Sequence, residues 1–257
     1  MLSSCHGNAR PAQGVNNLVS TDVRIPDVTD EKASARSAPR LRIRPAAGET
    51  VAVALVLHGG KARSMRPASR RQLSAVRMVP FARALHRAGS SAGLAVWSLQ
   101  YRDRGWNDKG SQVHDALWAL EEIGREHPGA PVHLVGHSLG GRTALAAGGH
   151  ESVRAIMALA PWLPSSETVD HLRGVQVLIA HGTRDKWVDP RGSLQFAERA
   201  RAAGVDVTRV EVAGVGHAML RRISLWHGLT TFFVMTQLAG ARQVDGPTAQ
   251  GSLRALI

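Results

Sequence analysis

Apolar residues come in short unbroken runs separated by amphipathic stretches. From about residue 50 the chain reads "VAVALVLHGG" (51–60), a helical pattern near 71–88, "LAVWSLQY" (94–101), a helical pattern near 110–126, and "PVHLVGHS" (131–138). A helix from 139 follows, then "VRAIMALAP" (153–161), "VQVLIAHG" (175–182), a helix near 191–203, "VDVTRVEVAG" (205–214) and a last helix near 218–238. Runs of Val, Ile, Leu and Ala without alternation suit strands buried on both faces, and the helices between them supply the crossovers that parallel neighbours need. The expected fold is therefore α/β: a three-layer open, mostly parallel sheet with helices on both faces. "LRIRP" (41–45) reads as an edge strand. Residues 1–40, rich in Ser, Ala, Arg, Asn and Pro without apolar period, read as a flexible leader; 41–239 as the domain; 240–257 as a flexible tail. No internal repeat is visible.

Composition narrows the class. A chain of 257 residues with 44% hydrophobic content can bury one sizeable core. No uncharged apolar run reaches about 18 residues, and the first residues lack the apolar segment of a signal peptide, so the expectation is a cytoplasmic protein without stable membrane insertion. Cys5, the one cysteine, permits no intramolecular disulfide.

Charge is concentrated. Residues 61–87 hold one lysine and seven arginines and no acid, eight of the net +12. Leu73, Val76, Phe81, Ala84, Leu85 and Ala88 form an apolar stripe at roughly helical spacing, with Arg77, Arg83 and Arg87 directed away from it. Solvation of a helix face is the simplest account of such a run. Because the run follows the "HGG" loop, a carboxylate-, phosphate- or coenzyme-A-bearing substrate is a further expectation. No zinc-finger, RNA-binding or heptad pattern accompanies the charge, so nucleic acid is not an expected partner.

Within that architecture "GHSLGG" (136–141) stands where a strand ends and a helix begins. In open parallel sheets the functional crevice lies at the carboxyl ends of the strands. A sharp strand-to-helix turn strains the turning residue and crowds its neighbours, which Gly136 and Gly140 relieve. Ser138 is thereby lifted clear of the backbone, and the Leu139 amide, at the positive end of a helix, points toward a developing oxyanion. A serine nucleophile also needs a base, a carboxylate and a second amide. His58, His137 and His181, beside glycines at strand ends, are expected to pack and hydrogen-bond around the crevice.

"LVLHGG", "GHSLGG", "HGTRDKWVDP" and "GVGHAML", with serine, acid and histidine in that order, resemble the α/β-hydrolase superfamily over about residues 50–237. Within it the chain is similar to small esterases and dienelactone-hydrolase-like enzymes, with Ser138 where the latter carry cysteine. The resemblance implies Ser138 as nucleophile, His217 as general base, and Asp185 as the acid, since it fits "HGTxDxxV"; Asp189, before Pro190, suits a helix N-cap instead. It further implies an oxyanion hole from the amides of Gly60 (or Lys61) and Leu139. Lys61, Trp106, Trp162, Trp187 and Met219 are candidates for contact with substrate. About twenty residues separate "ALAPW" from Asp185, so little or no cap is expected. The implied reaction is cleavage of a small acyl ester through an acyl-enzyme, without metal or cofactor. Thioester hydrolysis and acyl transfer would use the same nucleophile, and a non-catalytic small-ligand-binding relative is the alternative of another class. Oligomeric state is not legible.

Overall fold

The computed structural model describes residues 38–107 and 110–241. The leader (1–40) and tail (240–257) expected from sequence lie outside them, save that β1 (Arg40–Arg44) and α5 (Ile223–Ala241) reach into those ranges. Between these run β2 (Ala52–Leu57), α1 (Leu73–Gly89), β3 (Leu94–Gln100), α2 (Ser111–Glu126), β4 (Val132–His137), α3 (Leu139–Ala146), β5 (Val153–Leu159), β6 (Gln176–Gly182), α4 (Pro190–Ala202) and β7 (Val207–Val212).

The strands form one sheet in the order β1-β3-β2-β4-β5-β6-β7. Edge strand β1 is antiparallel to β3, and every other pair is parallel. All six residues of β2 are buried, as a strand covered on both faces requires. Ala54, Val56, Val96 and Val135 face Met78, Phe81 and Leu85 of α1 and Trp226 and Phe233 of α5. Leu55, Leu57, Trp97 and Leu134 face the other layer, where α2 contributes Leu120 and Ile123, α3 contributes Leu145, and α4 contributes Phe196. The chain winds one way from β2 to β3 and the other way from β4 onward, so the topological switch lies between β2 and β4, where a crevice opens at the strands' carboxyl ends.

Two elements depart from the sequence expectation. The buried stripe of α1 is Met78, Phe81, Ala82, Leu85 and Gly89, whereas Leu73 is 79% and Val76 47% exposed and Ala88 is exposed. The first turn of α1 overhangs the sheet at the crevice, where Leu73 and Ser74 line a cleft with Gly60, so the stripe begins only at Met78. Arg83 and Arg87 are solvated, but Arg77 is half-buried. The last helix starts at Ile223, not near 218, because the chain turns through Met219 and Arg222 at positive φ first. Among the described residues no helix is long and apolar enough to cross a membrane.

Candidate active site

At the end of β4 the chain turns so tightly into α3 that Ser138 adopts φ +56° and ψ −117°. A non-glycine residue there costs about 1–3 kcal/mol and persists only where its surroundings hold it. The Ser138 amide donates to the Leu159 carbonyl at 2.9 Å, and its carbonyl accepts from the amides of Arg142 (3.1 Å) and Trp162 (3.2 Å). Two glycines make room. A Cβ on Gly136 would collide with the Gly140 carbonyl, and one on Gly140 with the carbonyls of Leu57 and His58. The backbones of β4, α3 and β2 therefore meet without side chains between them.

The turn projects the Ser138 hydroxyl toward His217, in the loop after β7, and it donates to Nε2 at 2.9 Å. His217 Nδ1 donates to Asp185 Oδ2 at 2.7 Å. Asp185 lies in the turn after β6, and its Oδ1 accepts the amides of Trp187 (2.9 Å) and Val188 (3.0 Å). Burial pushes this carboxyl up, but hydrogen bonds from His181, His217 and the Val188 amide together outweigh it and hold the group well below the usual carboxylate range. Asp189 is turned elsewhere: it caps α4, accepting the Arg191 amide at 2.9 Å and pairing with the Arg191 guanidinium at 3.0 Å. The structure thus puts Asp185, and not Asp189, against His217.

Beside the serine, the loop after β2 presses on α3. A Cβ on Gly60 would strike the Arg104 carbonyl and the Leu139 side chain, and one on Gly59 would lie 3.4 Å from the Ser138 Cβ. The Lys61 amide is taken by the Arg104 carbonyl at 2.8 Å. The amides of Gly60 and Leu139 donate to no acceptor among the described residues.

Each strand-end histidine grips one part of this arrangement. His58 Nδ1 donates to the Gly59 carbonyl at 2.7 Å. His137 Nε2 donates to the His217 carbonyl at 3.0 Å, its ring 4.8 Å from that of His217, and burial lowers its pKa to about 3, so it acts as an uncharged donor. His181 Nε2 donates to Asp185 Oδ2 at 3.2 Å, while its Nδ1 lies 2.9 Å from the Ser193 hydroxyl, which takes an N–H from Arg209 at 3.1 Å. Asp185 therefore accepts four N–H groups. The sequence signal for these roles was each histidine's place beside a glycine at a strand's end; the partner of each needed coordinates.

The residues expected at the substrate divide. Trp187 is 75% exposed, with its ring 5.5 Å from His217. It lines one cleft of about 250 Å³ with His217 and Met219, and another of about 420 Å³ with Trp162 and Leu163. Met219 is otherwise packed in the core. Lys61 lines a third cleft, of about 420 Å³, with Gly60, Arg71, Leu73 and Arg104. Trp106 and Trp162 stack on the Arg142 guanidinium, 3.8 and 4.6 Å from its centre, and Arg142 pairs with Glu167 at 2.7 Å. That sandwich braces α3 behind Ser138, and sequence reasoning gave Arg142 no role. Between β5 and β6 only a short 3-10 turn (Asp170–Leu172) occurs, so no helical cap is inserted there, and none covers the crevice among the described residues. Among the described residues no group of three or more His, Cys, Asp or Glu could hold a metal ion.

A family model described as the alpha/beta hydrolase fold matches residues 58–190, a span that takes in Ser138 and Asp185 and stops before His217. Among solved structures, an α/β serine hydrolase without lid from Xanthomonas campestris is similar at 20% identity and TM-score 0.60, over 77% of this chain and 89% of that one. An α/β serine hydrolase homologue from Coxiella burnetii is similar at 17% and 0.60 (76% and 91%), and Est1E from Butyrivibrio proteoclasticus at 15% and 0.58 (78% and 95%). At such identities the likeness is one of fold. No curated protein matches the chain.

Proposed function

The chain belongs to the alpha/beta hydrolase fold family, and from that premise we propose that it is a serine hydrolase that cleaves carboxylic esters through an acyl-enzyme on Ser138. The observation that carries this reading is the unbroken chain from the Ser138 hydroxyl through both nitrogens of His217 to an ionised Asp185, on a serine held at a strained turn. Ser138 Oγ attacks the acyl carbon as His217 Nε2 takes its proton. The carbonyl oxygen becomes an oxyanion facing the amides of Gly60 and Leu139. Collapse breaks the C–O bond to the alcohol, which leaves with the proton from His217. Water then repeats the sequence, giving the acid and restoring the serine. Asp185 holds the proton on Nδ1 so that Nε2 is free to act as base.

Three shallow clefts around the serine, without a cap, suit short acyl esters better than bulky lipids. The test is covalent. A fluorophosphonate ester should label the folded protein at Ser138, found by peptide mass spectrometry, and the label should be absent from heat-unfolded protein. A folded sample that takes up no label would favour a binding protein that keeps only the crevice.

His181 acts on this chemistry through Asp185. His181→Phe removes one of the two imidazole N–H groups on Oδ2 and leaves the other to hold a carboxylate less firmly placed. We expect kcat to fall about tenfold, the worth of one charge-assisted hydrogen bond, with KM little changed. An equal change in KM and none in kcat would assign His181 to packing alone.

A further inference from the structure

From Arg40 to Arg102 the chain carries twelve Lys and Arg and a single acid, Glu49. Part of that charge is gathered on one face of the sheet edge. β1, "RLRIR", alternates so that Arg40, Arg42 and Arg44 share the face covered by α1. Pairing places Arg42 opposite Ser98 of β3, and Ser98 beside Val56 of β2, so the three form one row across the sheet. Ser98 in that row and Ala75 of α1 above it are small, and a cavity of about 120 Å³ remains between the layers. Arg42, Arg44 and Arg70 line it, together with Val56, Met78 and His58.

Two features mark this cavity. None of the three arginines has an ion pair or side-chain hydrogen bond among the described residues. Burial, then the charges of Arg42 and Arg83, push the Arg44 guanidinium down from its ordinary value, the mark of positive charge gathered without a counter-charge. The second is His58, 4% exposed, whose Nδ1 donates to the Gly59 carbonyl at 2.7 Å and lies 3.2 Å from the Gln72 side-chain amide nitrogen. Its ring packs edge-on against that of Tyr101, and its Nε2 is buried with no partner among the described residues.

We propose that this cavity is a binding site, separate from the serine crevice, for a small oxyanion of the size of monohydrogen phosphate or a three-carbon hydroxy acid. The guanidinium groups of Arg42, Arg44 and Arg70 take the anionic oxygens, for which their planar forks are suited. The apolar floor of Val56 and Met78 admits a short carbon chain. A ligand in this cavity sits against His58, one residue from Gly59, whose carbonyl His58 holds, and two from the Gly60 amide.

Calorimetric titration with inorganic phosphate and, separately, with lactate tests the site, with glycerol as the uncharged control and sodium chloride holding ionic strength fixed. We expect saturable binding of one or both anions with a dissociation constant below about 1 mM, which of the two binds more tightly identifying the natural headgroup. Arg42→Gln/Arg44→Gln should weaken it by about tenfold or more while hydrolysing a neutral ester like wild type, which shows that it is folded. Ala75→Leu, which fills the cavity and removes no charge, should abolish binding, and Ser138→Ala should leave it intact. The proposal is overturned if neither anion binds saturably, if glycerol binds equally well, or if either cavity variant binds like wild type. Binding lost instead in Lys61→Gln/Arg71→Gln would place the anion in the crevice and overturn it as well.

Discussion

Ser138→Ala and His217→Ala should each lower kcat for a short acyl ester by about 10⁶-fold, and combining them should cost little more, since serine and base act as one unit. Asp185→Asn should cost about 10⁴-fold. The amide keeps the shape but presents an N–H or a weaker acceptor to His217 Nδ1, and the imidazole is then held in the tautomer whose Nε2 cannot take the serine proton. Asp189→Asn provides the contrast. Asp189 is exposed, its carboxylate bonds only to Arg191 among the described residues, and it caps α4, so its loss touches stability, by about 1 kcal/mol or less, and leaves kcat unchanged. Steady-state kinetics on the five variants, each checked for native circular dichroism, decides the matter. If Asp189→Asn were the damaging change and Asp185→Asn the silent one, the acid would be misassigned. If Ser138→Ala kept wild-type turnover, the acyl-enzyme itself would have to be abandoned.

The order of elements was legible because β2 to β6 are covered on both faces, and a strand so placed can contain little but Val, Leu, Ile and Ala. Ser138 was legible because close backbone approach excludes a Cβ at Gly136 and Gly140, and sequence records such exclusions as glycine. What escaped depends on how far an element extends past the sheet. The first turn of α1 has the right period but nothing beneath it, so Leu73 and Val76 are exposed. α5 starts five residues late because the chain bearing His217 must first turn through Met219 and Arg222 at positive φ. Pairing was the other hidden quantity. That Trp106 and Trp162 both stack on Arg142, Trp162 also lining a cleft with Trp187, could not be read from sequence, and the three arginines of β1 share a face with Ser98 only once register is known.

Acid should unfold this protein at a higher pH than carboxylate titration alone would allow. His58 and His133 are lowered to about 4, and His137 to about 3, in each case chiefly by burial. In the unfolded chain they titrate near 6.5. A depressed folded pKa means that the native state refuses protons the unfolded chain accepts, so the stability is complete above about pH 6.5 and is lost as pH falls toward 4. Each unit of difference is worth about 1.4 kcal/mol. Three groups each shifted by two units or more together remove several kcal/mol, against about 5–15 kcal/mol for a whole domain. Asp185, pushed up by burial but held low by the hydrogen bonds from His181, His217 and the Val188 amide that outweigh it, adds a loss of the same sign only at still lower pH. Urea midpoints at pH 7, 6, 5 and 4.5 should therefore fall steadily, with most of the drop complete before carboxylates protonate. His133 isolates the cause, because both its ring nitrogens are buried without a partner and replacing it breaks no hydrogen bond. His133→Leu should raise stability at pH 7 by about 1 kcal/mol and flatten the slope between pH 6.5 and 4 by about one proton. Midpoints that hold level from pH 7 to 4.5, or an unchanged slope in His133→Leu, would mean that these rings reach solvent in the native protein and that the strand ends around the serine are looser than their packing implies.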